Sequence, residues 1–275
     1  MHYGFHVSIS GQQGLAGAVI EAELLGLSAI QIFAKSPRSW KLRGLKPGEL
    51  EGFRARRENL GGLPTVIHAS YLVNLGAGGD LWDKSVFSLA DDLAKAQALG
   101  AEYVVVHPGS GDWQRAREGA LKARELAKVG KSKNGPRLLL ENTAGGGEKL
   151  GNRLETLLEL IEGTPLGLCF DTCHAFAAGY PIHQDPQGVI GQLDAIIGLA
   201  NLPVIHLNDS VGEFGSGVDH HAGLLEGEIG VGLRTFITDE RLHDKVVILE
   251  TRRSTHEDAH NLRVLREWLE DADSR

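Results

Sequence analysis

Short apolar runs rich in Val, Ile and Leu recur along the chain. Between them, apolar residues return at three- and four-residue intervals. The runs are Tyr3–Ser8, Ala29–Phe33, Thr65–His68, Tyr103–His107, Arg137–Glu141, Leu166–Asp171, Val204–Leu207 and Val246–Glu250. Near-continuous apolar stretches of this length read as strands buried on both faces, the signature of a parallel sheet. Helical spacing occupies Leu15–Leu25, Gly48–Asn59, Leu81–Leu99, Gln114–Val129, Leu154–Ile161, Ile190–Leu199, Leu233–Ile237 and His256–Leu269. Eight strand–helix units in 275 residues predict an α/β fold, a TIM (β/α)8 barrel forming a single domain over residues 1–275. The main competitor is a doubly wound open sheet, which the regular alternation and the lack of a GxGxxG turn disfavour. Gly145-Gly146-Gly147 follows a strand without the Lys-Ser/Thr of a P-loop and reads as a tight loop. Gly130–Gly135 reads as a short basic connector.

Composition narrows the setting. No apolar run approaches the roughly 20 residues of a membrane helix. The start, Met1-His2-Tyr3-Gly4, lacks the basic-then-apolar layout of a signal peptide, so a cytoplasmic protein with no membrane partner is expected. Four residues of extended chain hold Cys169 and Cys173 roughly 13 Å apart, beyond bridging distance, so both are expected to be reduced. A net charge of −8 argues against a nucleic-acid partner unless bound metal neutralises several of the acids.

The candidate chemistry sits at the carboxyl ends of the runs. They close on His68, His107, Glu141, Asp171, His206 and Glu250. In a barrel these ends converge on one rim, where active sites lie. A lone strand-end His is more often a hydrogen-bonded structural residue, and a lone Asp or Glu a helix cap. Six in succession are another matter, because three carboxylates on one rim repel each other unless cations lie among them. His174, three residues after Asp171, suits a turn that presents both residues. Asp219 and His221 point the same way if their loop is extended. Five histidines and four carboxylates with no thiolate exceed one tetrahedral zinc and suit two or three ions. Such ligation favours Zn²⁺, with Mn²⁺ the second candidate because carboxylates are plentiful.

Longer motifs then carry a resemblance. They include Gly4-Phe5-His6-Val7-Ser8, Pro37-Arg38-Ser39-Trp40, His68 to Leu75, His107-Pro108-Gly109-Ser110 and Glu141-Asn142-Thr143-Ala144-Gly145. Further along come Asp171-Thr172-Cys173-His174-Ala175-Phe176-Ala177-Ala178-Gly179, His206-Leu207-Asn208-Asp209, the Asp219–Gly230 segment and Leu249-Glu250-Thr251. In these motifs the chain resembles, nearly end to end, the endonuclease IV family of apurinic/apyrimidinic endonucleases. The resemblance implies a trinuclear zinc centre on a TIM barrel. One ion would be held by His68, His107 and Glu141. A second would share Glu141 and add Asp171, His206 and Glu250, and a third would use His174, Asp219 and His221. Glu141 and Glu250 take the catalytic assignment. A metal-activated hydroxide would cleave 5′ to an abasic site in double-stranded DNA, leaving a 3′-hydroxyl and a 5′-deoxyribose phosphate, with 3′-end phosphodiesterase activity and a monomeric enzyme expected. Two positions depart from the family, which typically has Arg at His220 and Gly at Leu225.

An abasic site has no base to read, and extruding it loses little stacking. By resemblance, Arg38, Tyr71 and Leu72 enter the duplex from the minor groove and prop the gap open, while Trp40 is expected to be a packed loop anchor. The rival function is a sugar isomerase or epimerase on the same barrel. It would need only Glu141, Asp171, His206 and Glu250 around one ion.

Overall fold

The computed structural model describes residues 1–10, 13–129 and 135–273, so the connector expected at Gly130–Gly135 lies outside the described residues except for Gly135. Eight parallel strands close into a barrel: β1 (His2–His6), β2 (Ala29–Phe33), β3 (Thr65–His68), β4 (Tyr103–Val106), β5 (Arg137–Glu141), β6 (Gly167–Asp171), β7 (Val204–His206) and β10 (Val246–Leu249). Sequential strands are hydrogen-bonded neighbours, and β1 pairs with both β2 and β10 to close the ring. This is the TIM barrel expected from the apolar beat.

Helices follow the strands: α1 (Gly14–Leu25), α2 (Pro47–Asn59), α3 (Gly79–Leu99), α4 (Trp113–Leu126), α5 (Leu154–Ile161), α7 (Pro186–Ile196), α8 (Gly232–Ile237) and α9 (Thr255–Asp273). Their ends follow local chemistry. Asp112 and Asp185 cap α4 and α7 by accepting the main-chain N–H groups of Arg115 and Gly188, and Pro stands at the start of α2 and α7. Gly26 ends α1 in the left-handed conformation, which an L side chain resists (φ 63°).

Two elements escaped the apolar pattern. Residues 172–177 form a short helix, α6 (Thr172–Ala177), where a turn was expected; its N-cap is Asp171, whose Oδ1 accepts the His174 N–H at 2.7 Å. A two-stranded hairpin, β8 (Asp209–Ser210) with β9 (His221–Ala222), stands on the rim.

Alternation along each strand sorts the side chains into two layers. Outward residues such as Phe5, Ile30, Ile67, Val104, Leu140 and Phe170 pack under the helices. Inward residues fill the barrel: Ala29, Val66, Val105, Leu139, Cys169, Val204, Val246 and Ile248. Gly4 belongs to the crowded inner wall of β1, where a Cβ would lie 1.7 Å from the Ala29 carbonyl oxygen. Two residues past this apolar floor, on the same face, come Gln31, His68, His107, Glu141, Asp171, His206 and Glu250. The floor excludes water from below, and every polar side chain above it faces the rim.

Candidate metal centre

Glu141 lies at the middle of the rim and is fully buried. Its Oε2 is 3.2 Å from His68 Nε2 and 3.0 Å from His107 Nε2, and its Oε1 is 3.0 Å from His206 Nδ1. His206 Nδ1 is also 3.2 Å from Glu250 Oε2 and 4.0 Å from Asp171 Oδ2. On the far side, Asp219 Oδ1 is 3.1 Å from His174 Nε2 and 3.4 Å from His221 Nε2. The nine residues singled out in the sequence thus meet in three clusters: His68, His107 and Glu141; Glu141, Asp171, His206 and Glu250; and His174, Asp219 and His221. Tetrahedral ligands about 2.0–2.1 Å from a zinc ion stand roughly 3.3 Å apart, close to all of these separations except the 4.0 Å from His206 to Asp171.

The clusters are less separate than the sequence implied. His221 Nε2 is 3.5 Å from Asp171 Oδ2, and His174 Nδ1 is 3.5 Å from Glu141 Oε1. Cys173, set aside in the sequence, also comes within donor range of Asp171 and His221. Burial pushes its thiol up to about 12, so it packs as a neutral side chain. Cys169 behaves the same way, and both cysteines are free.

Hydrogen bonds on the outer side of the imidazoles set their orientation. His68 Nδ1 donates to the Ala69 carbonyl at 2.8 Å, and His174 Nδ1 to the Asn142 carbonyl at 2.9 Å. His221 Nδ1 donates to the Glu250 carbonyl at 3.3 Å, and His206 Nε2 to Gln31 Oε1 at 2.8 Å. A carbonyl only accepts, so in each ring the opposite nitrogen is the one turned into the cluster, where it can take a proton or a cation. His221 Nε2 is buried there with no hydrogen-bond partner. An orphaned inward nitrogen beside two carboxylates is what a cation site leaves when only protein atoms are counted.

The electrostatics agree. Burial opposes charge on Glu141 and Glu250, yet the surrounding histidines hold both well below the usual carboxylate range. Burial also opposes charge on His206 and His174, but neighbouring groups outweigh it. The carboxylates raise His174 to about 10, while Cys169 together with Glu250 and Glu141 raises His206 well above its ordinary value. Asp219 is held at about 2, against its own burial, by His174. Without ions, protons take the cation positions. At pH 8 His174 is therefore protonated in the ion-free cluster, and a metal must displace that proton. Adding Zn²⁺ to protein stripped at pH 8 is expected to release protons, and affinity to fall as the pH is lowered. A pH-indicator titration that detects no release would contradict the assignment.

Several supporting residues were not singled out in the sequence. Gln31 bridges His206 and Glu250, donating to Glu250 Oε1 at 2.5 Å, and its amide also lies 2.9 Å from His6 Nδ1. Asn208 donates to Asp171 Oδ2 at 2.7 Å and accepts the Glu250 N–H at 2.8 Å. Asn142 accepts the Asp171 N–H at 2.6 Å. Their signal was present but faint: one Gln inside Ala-Ile-Gln-Ile-Phe, and an Asn just after two of the strand ends.

The predicted recognition residues stand at the mouth. Tyr71 is 57% exposed, with its ring 5.7 Å from that of His68. Arg38 is exposed and Leu72 half-buried. The two loops are stapled together, because the Pro37 carbonyl accepts from Tyr71 N at 3.1 Å and Ser70 Oγ at 2.8 Å. Trp40 is half-buried, in keeping with an anchor. Leu225, one of the two positions expected to depart from the family, takes φ 66°, a left-handed conformation that costs a leucine roughly 1–2 kcal/mol.

Fold and rim together define a parallel (β/α)8 barrel with a histidine- and carboxylate-rich candidate metal centre at the carboxyl ends of its strands. Residues 19–272 match the family model of xylose isomerase-like TIM barrels. The chain is 64% identical to endonuclease 4 of Thermus thermophilus over 98% of its own length and 99% of that protein. It is 40% identical to the probable endonuclease 4 of Halothermothrix orenii over 94% of its length and 96% of that protein's. A crystal structure of endonuclease IV from Thermus thermophilus superposes with a TM-score of 0.96 at 63% identity, covering 98% of this chain and all of that one. The chain belongs to the endonuclease IV family. A D-tagatose 3-epimerase-like protein, 20% identical with a TM-score of 0.76, shares the fold alone.

Proposed function

We propose that this protein is a DNA repair endonuclease that hydrolyses the phosphodiester 5′ to an abasic site in duplex DNA. The products are a 3′-hydroxyl and a 5′-deoxyribose phosphate, and the same site removes blocking groups from 3′ ends. The observation that carries this reading is the meeting of three donor clusters on the rim, two of them sharing the buried carboxylate Glu141 and the third touching it through His174. His68 and His107 would hold one divalent ion with Glu141. Asp171, His206 and Glu250 would hold a second with the same carboxylate, and His174, Asp219 and His221 a third. Zinc is favoured and manganese is second. Bound there, such ions would supply a hydroxide nucleophile near neutral pH and positive charge opposite the phosphate.

The remaining work falls to the chain itself. Gln31, Asn142 and Asn208 hold the donors in place, and the apolar floor keeps water out from below. Tyr71 and Leu72, with Arg38 on the stapled neighbouring loop, would fill the gap left by the missing base. The rival isomerase reading needs only Glu141, Asp171, His206 and Glu250, and leaves five converging donors without a purpose.

Elemental analysis beside an incision assay tests the proposal. Purified protein is expected to carry three divalent ions per chain and to nick an abasic duplex on its 5′ side without added Mg²⁺. It should lose that activity only on prolonged chelation. One ion per chain with sugar epimerisation would support the rival.

Recognition separates from chemistry in a second test. Tyr71→Ala and Arg38→Ala are each expected to weaken binding to abasic duplex by roughly 1–3 kcal/mol, the scale for losing a stacked or wedged side chain, with metal content unchanged. Wild-type binding and cleavage in both variants would refute the wedge role.

A further inference from the structure

A cavity of about 400 Å³ opens beside the metal clusters, lined by Tyr71, His107, His174 and Asp219. Lys149 lines the same cavity. Its side chain is exposed and makes no ion pair among the described residues.

The main chain beneath it is held in place. Ser110 and Lys149 form an antiparallel bridge between the loops after β4 and β5. Leu150 N donates to the Gly109 carbonyl at 2.9 Å, and Gly111 N to the Glu148 carbonyl at 3.0 Å. Asn74 Oδ1 ties in the loop after β3 by accepting the Ser110 N–H at 2.9 Å. Gly109 permits this close approach, since a Cβ there would lie 2.2 Å from Asn74 Oδ1 (φ 93°). An ammonium with no ion pair among the described residues, on a fixed main chain and lining a cavity that His107, His174 and Asp219 also line, is placed to receive an anion. On a duplex threaded through this groove the available anions are the phosphates beside the one being cut.

We propose that Lys149 is a positioning residue that holds a DNA phosphate flanking the scissile one. The inference rests on the endonuclease reading. A lysine contacts phosphate as a point charge, so its loss should remove about one released counterion from the binding equilibrium.

The experiment measures binding to an incised abasic duplex between about 50 and 200 mM salt, with metal content and steady-state incision alongside. Lys149→Ala is expected to lower the slope of log affinity against log salt by about 0.9. Affinity at the low-salt end should fall roughly tenfold and KM should rise, with metal content and kcat close to wild type. Lys149→Arg should restore slope and affinity. A Lys149→Ala slope equal to that of wild type overturns the proposal, as does a loss accompanied by missing metal that Lys149→Arg does not repair. Failure of the wild-type protein to incise abasic DNA overturns the endonuclease reading and this inference with it. Wild-type incision with matching salt slopes overturns this inference alone.

Discussion

Glu141→Gln is expected to reduce incision of an abasic duplex by roughly 10⁴-fold or more, the scale for breaking a set of groups that acts as a unit. Gln keeps the shape of Glu but loses the charge and one acceptor oxygen. Glu141 touches four histidines: His68 of β3, His206 of β7, His107 just past β4 and His174 of α6. Two of the three clusters share it, so both should lose affinity for their ions, and elemental analysis should show fewer than three per chain. The barrel should remain folded because the apolar floor beneath, Val66, Val105 and Leu139 among it, is untouched. Circular dichroism checks that point. A variant that keeps three ions and cleaves within tenfold of wild type would show that Glu141 does not join the clusters.

The second large effect belongs to the outer cluster. His174→Ala combined with His221→Ala should remove one ion and slow cleavage by roughly 10²–10³-fold, as expected for losing one electrostatic contributor. His68 and His206 keep their contacts, and His107 and Glu250 keep theirs with Glu141 and His206, so two ions should remain. The contacts of His221 with Asp171 and of His174 with Glu141 mean the remaining ions should also bind somewhat more weakly, visible as faster loss to a chelator. Unchanged stoichiometry and rate in the double variant would sink the three-ion reading. Loss of DNA cleavage beside an intact sugar-epimerising activity would favour the single-ion rival.

Much of this molecule was legible along the chain, and the reason is local. Side chains alternate with period two on a strand, so an apolar floor residue and a rim residue two positions later share a face whatever the rest of the fold does. Val66 with His68, Leu139 with Glu141, Cys169 with Asp171 and Ile248 with Glu250 all obey this parity. The ranges Ala29–Phe33, Thr65–His68, Arg137–Glu141 and Leu154–Ile161 agree with the structure residue for residue. Boundaries slipped at helix ends, as at α3, which begins without a side-chain cap at Gly79 rather than at Leu81.

What only the tertiary structure decided lies in segments too short to show a period and in groups distant in sequence. Helix α6 has six residues, too few to show a period, and it forms because Asp171 at a strand end caps it. Asp219 and His221 reach His174 because β9 pairs with β8, an antiparallel contact of two residues that leaves no alternating run to read. Gln31 comes to His206 across 175 positions, and to Glu250 across 219, only because closure of the barrel sets β1 between β2 and β10. Residue types and spacing chose the donors. Barrel closure set their separations and showed that the three clusters touch.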